Sequence, residues 1–245
     1  MRAMILAAGF GTRLRPLTNT VPKALVPVAG RPLIEYGLLF LKSQGIEEVV
    51  INLHHLGEKI RAALGDGSIY GLRISYSPEA PILETGGGIK KAQALLDSET
   101  FVVLNCDTIL DLDLSALLTT HRKHSAVATL VLRSDPAADR YGILETDTNG
   151  RIRRFLGQPA EVSGPLSPYM FTGCQLLEPR IFTFMPAAKP FSTTRETYPQ
   201  ILRAGEPLYG FIHTGPWMVV DDAEGVVRAT QAIISGQVRL SYLRP

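Results

Sequence analysis

Apolar positions along the chain alternate between short continuous runs and longer stretches with helical spacing. Met4 to Ala8 is an apolar run that ends in glycines, as expected of a strand covered on both faces. Apolar residues from Ile34 to Leu41 then recur at helical spacing, and Val49 to Ile51 form a second apolar run. The same alternation predicts further helices around 60–64, 89–96 and 114–123 and further strands at 72–76, 101–105 and 126–132.

This order of elements predicts a doubly wound, Rossmann-like α/β fold with a mostly parallel sheet, whose ligands bind beyond the carboxyl ends of the strands. Beyond Ser134 the pattern changes to short strands separated by turn residues, with fewer long helices. We therefore predict a mixed second half laid against the parallel sheet. The elements predicted there are strands at 141–145, 151–155 and 170–176 and a helix at 223–234.

Composition narrows the class of protein. The 245 residues contain no low-complexity linker, which predicts a single domain over 1–245. Lys+Arg 25 and Asp+Glu 23 are interspersed and leave a net charge of +2, which argues against nucleic acid or an anionic membrane as a partner. No apolar run is long enough to span a bilayer. Cys106 and Cys174 lie far apart and are interpreted as buried free thiols in a reducing, cytoplasmic compartment.

The first apolar run leads into a loop with the chemistry of an anion site. Gly9 and Gly11 leave the backbone N–H groups accessible to a bound anion, and the alternative is an ordinary tight turn. Arg13 supplies a charged fork for phosphate oxygens, and Lys23 supplies a point charge. The spacing is neither that of a Walker loop nor that of the dinucleotide-binding turn.

The longer sequence motif around these glycines is more specific for a protein family than the glycines alone. Leu6 to Thr18, followed by Pro22 to Val28 and Pro32 to Ile34, closely resembles the signature of the sugar-1-phosphate nucleotidyltransferases. The resemblance implies that this loop wraps a nucleoside triphosphate, and that Arg13 and Lys23 are catalytic, with Lys23 against the phosphoryl group under attack. The nucleotide-binding residues implied in the loop are Leu6, Ala7, Ala8, Gly9, Gly11, Thr12 and Arg13.

The resemblance continues through most of the chain. Leu83 to Gly88 resembles the base-recognition segment and assigns base contacts to Gly86 and Gly87, while Pro78 and Glu79 either contact the base or form an ordinary turn. Tyr141-Gly142 and Phe171 to Gly173 resemble sugar-contacting turns. The sugar-binding residues implied are Asn105, Gly142, Gln158, Thr172 and Trp217. The domain would then comprise a nucleotide-binding half (1–133), a sugar-binding half (134–237) and a tail (238–245) without a counterpart in the family.

The implied reaction is attack by a sugar 1-phosphate on the α-phosphorus of a nucleoside triphosphate, which yields a nucleoside diphosphate sugar and pyrophosphate. Positioning and charge neutralisation would carry it, with Mg²⁺ bound at Asp107. Leu83 to Gly88 resembles members that use UTP and muramate-type sugars, whereas Leu156 to Pro159 and Met170 to Gly173 resemble members that use GTP and mannose 1-phosphate. We place GTP first and UTP next, and leave monomer or homo-oligomer open.

Two positions depart from the family pattern. Gln158 stands where many members have a lysine that binds the sugar phosphate; it can still donate hydrogen bonds, or it is an exposed loop side chain. Val219 stands where the family has the second metal-binding aspartate, and Asp221 is the candidate substitute because side chains two residues apart share a face of a strand. Otherwise Asp221 and Asp222 form the turn and N-cap before the last helix. The alternative function is therefore a catalytically weakened, nucleotide-binding or nucleotide-sugar-binding regulatory relative.

The histidines are interpreted without a functional role. His54 and His55 follow the second strand, and His121 and His124 lie on a predicted helix beside basic residues, where a solvated face is expected. No third ligand is spaced to complete a zinc site.

Overall fold

A computed structural model describes residues 1–135, 142–159, 161–187 and 189–243 of the chain. Contacts divide it into two compact units: the first comprises Met1–Ile82, Leu104–Leu112 and Gly215–Pro245, and the second comprises Leu83–Val103 and Asp113–Thr214. Because the chain leaves and re-enters the first unit, the units do not follow the predicted halves 1–133 and 134–237.

The bounds of the elements follow the predicted alternation. The strands are β1 Arg2–Leu6, β2 Pro27–Val28, β3 Arg31–Pro32, β4 Glu48–Leu53, β5 Arg73–Pro78, β6 Phe101–Asn105, β7 Thr108–Leu110, β8 Ala128–Arg133, β9 Ile143–Thr146, β10 Ile152–Phe155, β11 Ser167–Leu177, β12 Leu208–Ile212 and β13 Trp217–Val219. The α-helices are α1 Leu33–Ser43, α2 Gly57–Leu64, α3 Glu84–Lys91, α4 Gln93–Leu96, α5 Leu114–Lys123, α6 Tyr198–Arg203 and α7 Ala223–Ile234.

The first unit contains the predicted parallel strands. β4 lies between β1 and β5 and is parallel to both, with Leu6 opposite Asn52 and Asn52 opposite Ser77. Ala3, Met4 and Ile5 of β1 are 0% exposed and Leu6 is partly exposed, as expected of a strand whose two faces are covered up to its carboxyl end. The carboxyl ends of β1, β4 and β5 therefore meet at one edge, where the loop after β1 begins.

The second unit has the predicted mixture of antiparallel and parallel strand pairs. β11 pairs antiparallel with β8 and β9, β9 pairs antiparallel with β10, and β12 pairs parallel with β8. The predicted strand at 141–145 is observed as β9, and Tyr141 lies outside the described residues. β12 and α6 were not predicted, because short segments carry too little periodicity to identify an element.

The tail is part of the first unit's core. Leu240 is 5% exposed and packs in an apolar cluster with Ile109, Val220 and Ala229. The Tyr242 ring lies 5.9 Å from that of Phe40. The predicted tail at 238–245 therefore packs against the first unit as far as Leu243, the last described residue.

Both cysteines are free, as predicted. Burial is the largest cause that raises the pKa of Cys106 and of Cys174 to about 12, so both thiols stay protonated at neutral pH. Among the described residues, no helix combines the length and the apolar character needed to cross a membrane.

The interpretation of His121 as a solvated side chain is wrong. His121 is 1% exposed, with Nδ1 2.8 Å from Thr129 Oγ1 and Nε2 2.9 Å from Glu178 Oε1. Glu178 Oε1 also accepts a hydrogen bond from Thr100 Oγ1 at 2.6 Å. The basic neighbours of His121 suggested a polar face, but α5 turns this side chain toward β8. Burial lowers the pKa of His121 below its ordinary 6.5, although Glu178 opposes the shift.

We expect this buried imidazole to make stability sensitive to mild acid. The unfolded chain takes up the proton near the ordinary pKa of 6.5 and the folded chain only below it, so stability is lost as pH falls through that window. Between pH 7 and 5 the melting temperature of His121→Gln should fall by about 2–4 °C less than that of the wild type. His124→Gln is the matched control, and equal slopes for all three proteins would contradict the prediction.

Candidate active site

The predicted anion loop follows β1 and contains three short 3₁₀ turns, at Thr12–Leu14, Leu17–Asn19 and Lys23–Leu25. Gly9, Thr12 and Arg13 are exposed along it. Gly11 has φ +62°, and a Cβ there would lie 3.0 Å from Thr18 Cγ2 and 3.1 Å from Lys23 Cβ. Glycine is needed at Gly11 because the loop closes on itself there in a left-handed conformation.

Hydrogen bonds hold this loop in shape. Thr18 Oγ1 donates to the Gly11 carbonyl at 2.8 Å, and His55 Nε2 donates to the Thr18 carbonyl at 2.8 Å. Lys59 Nζ donates to the Thr20 carbonyl at 2.7 Å. His55 thus has a structural role in the loop that the sequence did not reveal.

A buried polar group adjoins the start of the loop. Asn52 Oδ1 accepts from the Ala7 N–H at 2.7 Å, and Asn52 Nδ2 donates to Glu79 Oε1 at 2.7 Å. Asn52 and Glu79 are 2% and 5% exposed. Asn52 is absent from the predicted site; the available signal was a polar residue directly after the apolar run Val49 to Ile51.

The structure brings Lys23 together with the two candidate metal-binding aspartates. Lys23 Nζ lies 2.6 Å from Asp107 Oδ2 and 2.9 Å from Asp221 Oδ1, and Arg13 Nη2 lies 3.0 Å from the same Asp221 oxygen. The Val220 N–H donates to the Asp107 carbonyl at 2.9 Å. This backbone contact, next to the antiparallel pairing of β13 with β7, places Asp221 beside Asp107.

Burial and opposite charges set the protonation of this cluster. Burial is the largest single cause and by itself would lower the pKa of Lys23, but the charges and hydrogen bonds of its acidic neighbours, Asp107 first, together outweigh it and raise the pKa. Burial raises the pKa of Asp107, and Lys23 opposes this only in part. Burial is also the largest single cause at Asp221 and by itself would raise its pKa, yet the hydrogen bond from Lys23 and the charges of Lys23 and Arg13 together lower the pKa. Lys23 is therefore cationic throughout the physiological range.

The two carboxylates are hard oxygen donors, which is the ligand chemistry that Mg²⁺ prefers. Within the part of the chain that the structure describes, no group of three or more His, Cys, Asp or Glu side chains is arranged to hold a metal. Mg²⁺ is commonly bound through one or two carboxylates, with water and substrate phosphates as the remaining ligands. Asp107 and Asp221 match that pattern, whereas Val219 offers no donor atom.

Gly86 and Gly87 have a packing role in the second unit. A Cβ on Gly86 would lie 2.2 Å from the Phe191 ring, and one on Gly87 would lie 2.8 Å from the Lys189 carbonyl oxygen. Both N–H groups donate to the Phe191 carbonyl, at 2.9 and 3.2 Å. These glycines let the segment at 189–191 approach α3 closely, and their contact with a nucleobase stays a prediction.

The predicted sugar-binding residues differ in what they can offer a ligand. Thr172 is 2% exposed and its hydroxyl donates to the Val131 carbonyl at 2.8 Å, so the structure does not support a side-chain contact with a sugar. Gly142 has φ +86° and packs against Leu156. Asn105 ends β6 and Trp217 begins β13, and both are partly exposed.

Gln158 lines a cavity of about 480 Å³ in the second unit. Most of the lining residues are apolar; besides Gln158, the polar or charged ones are Thr194, Arg195 and Arg203. Arg195 Nη2 also pairs with Glu84 Oε2 at 2.6 Å, and its side chain is 64% exposed. The cavity therefore has two arginines among its lining residues and the size of a small-molecule site.

Comparison with known proteins assigns the chain to a family. A family model described as nucleotidyl transferase matches residues 2–235. The chain is 40% identical over 226 residues to a Neisseria meningitidis protein named N-acetylmuramate alpha-1-phosphate uridylyltransferase, covering 90% of this chain and 93% of the relative. It is 34% identical over 237 residues to a Mycobacterium tuberculosis protein named mannose-1-phosphate guanylyltransferase.

The chain is shorter than one of these relatives, and its fold is similar to that of a solved structure. The match to the Mycobacterium tuberculosis protein covers 96% of this chain, but the chain spans only 65% of that relative's length. A solved Bacillus anthracis structure, described as a glucose-1-phosphate thymidylyltransferase in complex with sucrose, has a TM-score of 0.82 at 23% identity and covers 98% of this chain and 97% of that one. At this identity the similarity supports the predicted α/β fold alone.

Proposed function

Because the chain belongs to the nucleotidyl transferase family, we propose that it transfers a nucleoside monophosphate from GTP or UTP to a sugar 1-phosphate and releases pyrophosphate. The observation that carries this proposal is the cluster of Lys23, Asp107 and Asp221 beside the glycine loop. Such a cluster combines a cation for phosphate with two carboxylates that suit a hydrated divalent metal.

The residues of the loop would bind and orient the triphosphate. A phosphate oxygen of the sugar 1-phosphate attacks the α-phosphorus, and the bond from the α-phosphorus to the bridging oxygen breaks, so pyrophosphate leaves with the electron pair. No proton transfer is required, because the nucleophile is already anionic. Lys23 and Arg13 would neutralise the charge that develops on the phosphates.

Asp107 and Asp221 would hold Mg²⁺, which supplies charge neutralisation at the phosphate oxygens when bound. The ion pairs to Lys23 also restrict the rotamers of its flexible side chain, so the ammonium group is prepositioned in the loop. This arrangement supports Asp221, in place of Val219, as the partner of Asp107. The regulatory alternative is not favoured, because the relatives named above are described as transferases.

On the sugar side, Gln158, which lines the cavity of the second unit, would contact the sugar 1-phosphate. Arg195 and Arg203 would supply the positive charge that Gln158 lacks relative to lysine. The pair Arg195–Glu84 is mostly exposed, so a phosphate dianion can compete for this arginine at little cost. Mannose 1-phosphate and N-acetylmuramate 1-phosphate are the first acceptors to test, because the relatives are named for them.

Pyrophosphate release with Mg²⁺ tests the proposal directly. GTP, UTP, ATP and CTP should be combined in turn with mannose, glucose and N-acetylmuramate 1-phosphates. We expect turnover with GTP or UTP and at least one sugar 1-phosphate, and none when the sugar 1-phosphate is omitted. The absence of turnover with every pair would refute the proposed function.

A further inference from the structure

The strands β7 and β13 set the positions of Asp107 and Asp221. β7 begins directly after Asp107, and β13 ends two residues before Asp221. The strands pair antiparallel, with Met218 opposite Ile109. The Val220 N–H, which donates to the Asp107 carbonyl at 2.9 Å, extends this pairing to the carboxylates. A displacement of either strand relative to the other would therefore change the distance between the two carboxylates.

The tail of the chain is hydrogen-bonded to the opposite end of β7. Asp111 follows directly after β7, and its two carboxylate oxygens accept from Ser241. The Ser241 N–H donates to Oδ2, and the Ser241 hydroxyl donates to Oδ1 at 2.9 Å. The Asp111 N–H in turn donates to the Pro216 carbonyl, beside the start of β13, at 3.1 Å. One residue thus connects the tail to both strands.

The tail also packs into the apolar core behind these strands. Leu240 is 5% exposed and belongs to the same cluster as Ile109 of β7 and Val220, which are both 0% exposed. Val220 directly precedes Asp221 in the chain. The Leu243 N–H donates to the Leu240 carbonyl at 3.0 Å, so a turn of the tail holds Leu240 in place. Because protein interiors are close-packed, a smaller side chain at Leu240 would loosen the packing of this cluster.

We propose that residues 238–243, through Leu240 and Ser241, are a positioning segment that keeps β7 on β13 and so holds Asp107 and Asp221 together for the transfer reaction. This inference rests on the proposed function and gives a role in it to a segment for which the sequence predicted none. Mg²⁺ demands near-ideal octahedral geometry, so two carboxylates that bind it must keep a fixed spacing. A displacement of about 1 Å near the reacting atoms can lower a rate about 100-fold.

Four variants separate positioning from general stability. Leu240→Ala removes apolar packing from the cluster, whereas Leu240→Met conserves the volume of the side chain. Asp111→Ala removes both acceptors for Ser241 at a partly exposed position. Leu64→Ala is the matched control, because Leu64 is 2% exposed and lies on α2 of the same unit, outside this cluster.

The first measurement is the dependence of pyrophosphate release on Mg²⁺. In Leu240→Ala we expect kcat to fall about 10- to 100-fold and the Mg²⁺ concentration for half-maximal rate to rise, the usual effect of disturbing residues that support a metal site. Asp111→Ala should shift both quantities in the same direction, by about 10-fold. Leu240→Met and Leu64→Ala should keep both quantities near their wild-type values.

Thiol labelling of the protein without nucleotide or metal gives a readout that does not depend on turnover. The chain has two cysteines: Cys106 directly precedes Asp107, and Cys174 is 0% exposed in the second unit. Local loosening of β7 should make Cys106 more accessible without affecting Cys174. Relative to Cys174, labelling of Cys106 should be about 10-fold faster in Leu240→Ala than in Leu64→Ala.

The outcomes separate the two proposals. A folded Leu240→Ala protein that matches Leu64→Ala in kcat, Mg²⁺ dependence and Cys106 labelling would overturn the role of the tail and leave the proposed function intact. Faster Cys106 labelling with unchanged kcat would also overturn it. If Leu240→Ala does not fold, Asp111→Ala decides by the same measurements. If the wild type turns over no pair of substrates, the proposed function fails, and positioning for transfer fails with it.

Discussion

Asp221→Asn should reduce the rate of pyrophosphate release about 100- to 1,000-fold and raise the Mg²⁺ concentration needed for half-maximal rate. The reason is the pairing of Asp221 with Asp107 around Lys23, whose ammonium lies 2.9 and 2.6 Å from the two carboxylates. An amide in place of the Asp221 carboxylate removes one of only two anionic oxygen donors in this cluster. It also removes the negative partner that Arg13 contacts at 3.0 Å.

The neighbouring residue is the natural control for this effect. Asp222 Oδ1 accepts from the Gly225 N–H at 2.7 Å and caps α7, so Asp222→Asn should keep most of the activity and most of the cap. Val219→Asp should give no large gain in rate, because Asp221 already supplies the second carboxylate. A large gain in the rate of Val219→Asp, together with an Asp221→Asn protein as active as the wild type, would show that Asp221 does not supply the second carboxylate.

Lys23→Met should have the second large effect, a loss of turnover of about 1,000-fold, because the cation that neutralises the phosphates is removed. Stability should change as well. The side chains of Lys23, Asp107 and Asp221 are 12%, 21% and 14% exposed, so methionine leaves two largely buried carboxylates without their shared counter-ion. Breaking a buried ion pair in this way costs about 3–5 kcal/mol, measurable by denaturant unfolding.

Added Mg²⁺ tests whether the instability of Lys23→Met comes from the lost positive charge between Asp107 and Asp221. If Asp107 and Asp221 bind the metal, Mg²⁺ should raise the melting temperature of Lys23→Met more than that of the wild type, since the metal replaces the lost charge. Lys123→Met, on the exposed face of α5, removes the same charge and should change neither rate nor stability appreciably. A Lys23→Met protein as stable and as active as this control would contradict the role assigned to Lys23.

Local patterns in the chain were sufficient for the fold and for the loop. The buried run of β1, the helical spacing of α1 and the limits of α5 and α7 follow from periodicity and end signals, which are properties of neighbouring residues. The same holds for Gly11, whose left-handed φ of +62° is a requirement of the turn itself. Arg13 and Lys23 could be named because they lie within one short, specific motif.

Contacts between distant residues were not predictable in this way. Asp221 was only one of two interpretations until the bond from the Val220 N–H to the Asp107 carbonyl placed it beside Lys23. Asn52 went unnoticed because its contacts are with Ala7 and Glu79, which follow the neighbouring strands β1 and β5. His121 was assigned to solvent because basic neighbours dominate its local sequence, although its ring is buried against Thr129.

By itself, the sequence determined the alternation of strands and helices, the glycine loop and the cation that belongs to it, because each of these depends on residues close together in the chain. The tertiary structure decided which carboxylates surround Lys23, which amide holds Glu79, and which polar side chains are buried. The physical reason is that hydrogen bonds and ion pairs require contact in space, and chain folding brings Asp107 and Asp221 to the same ammonium group.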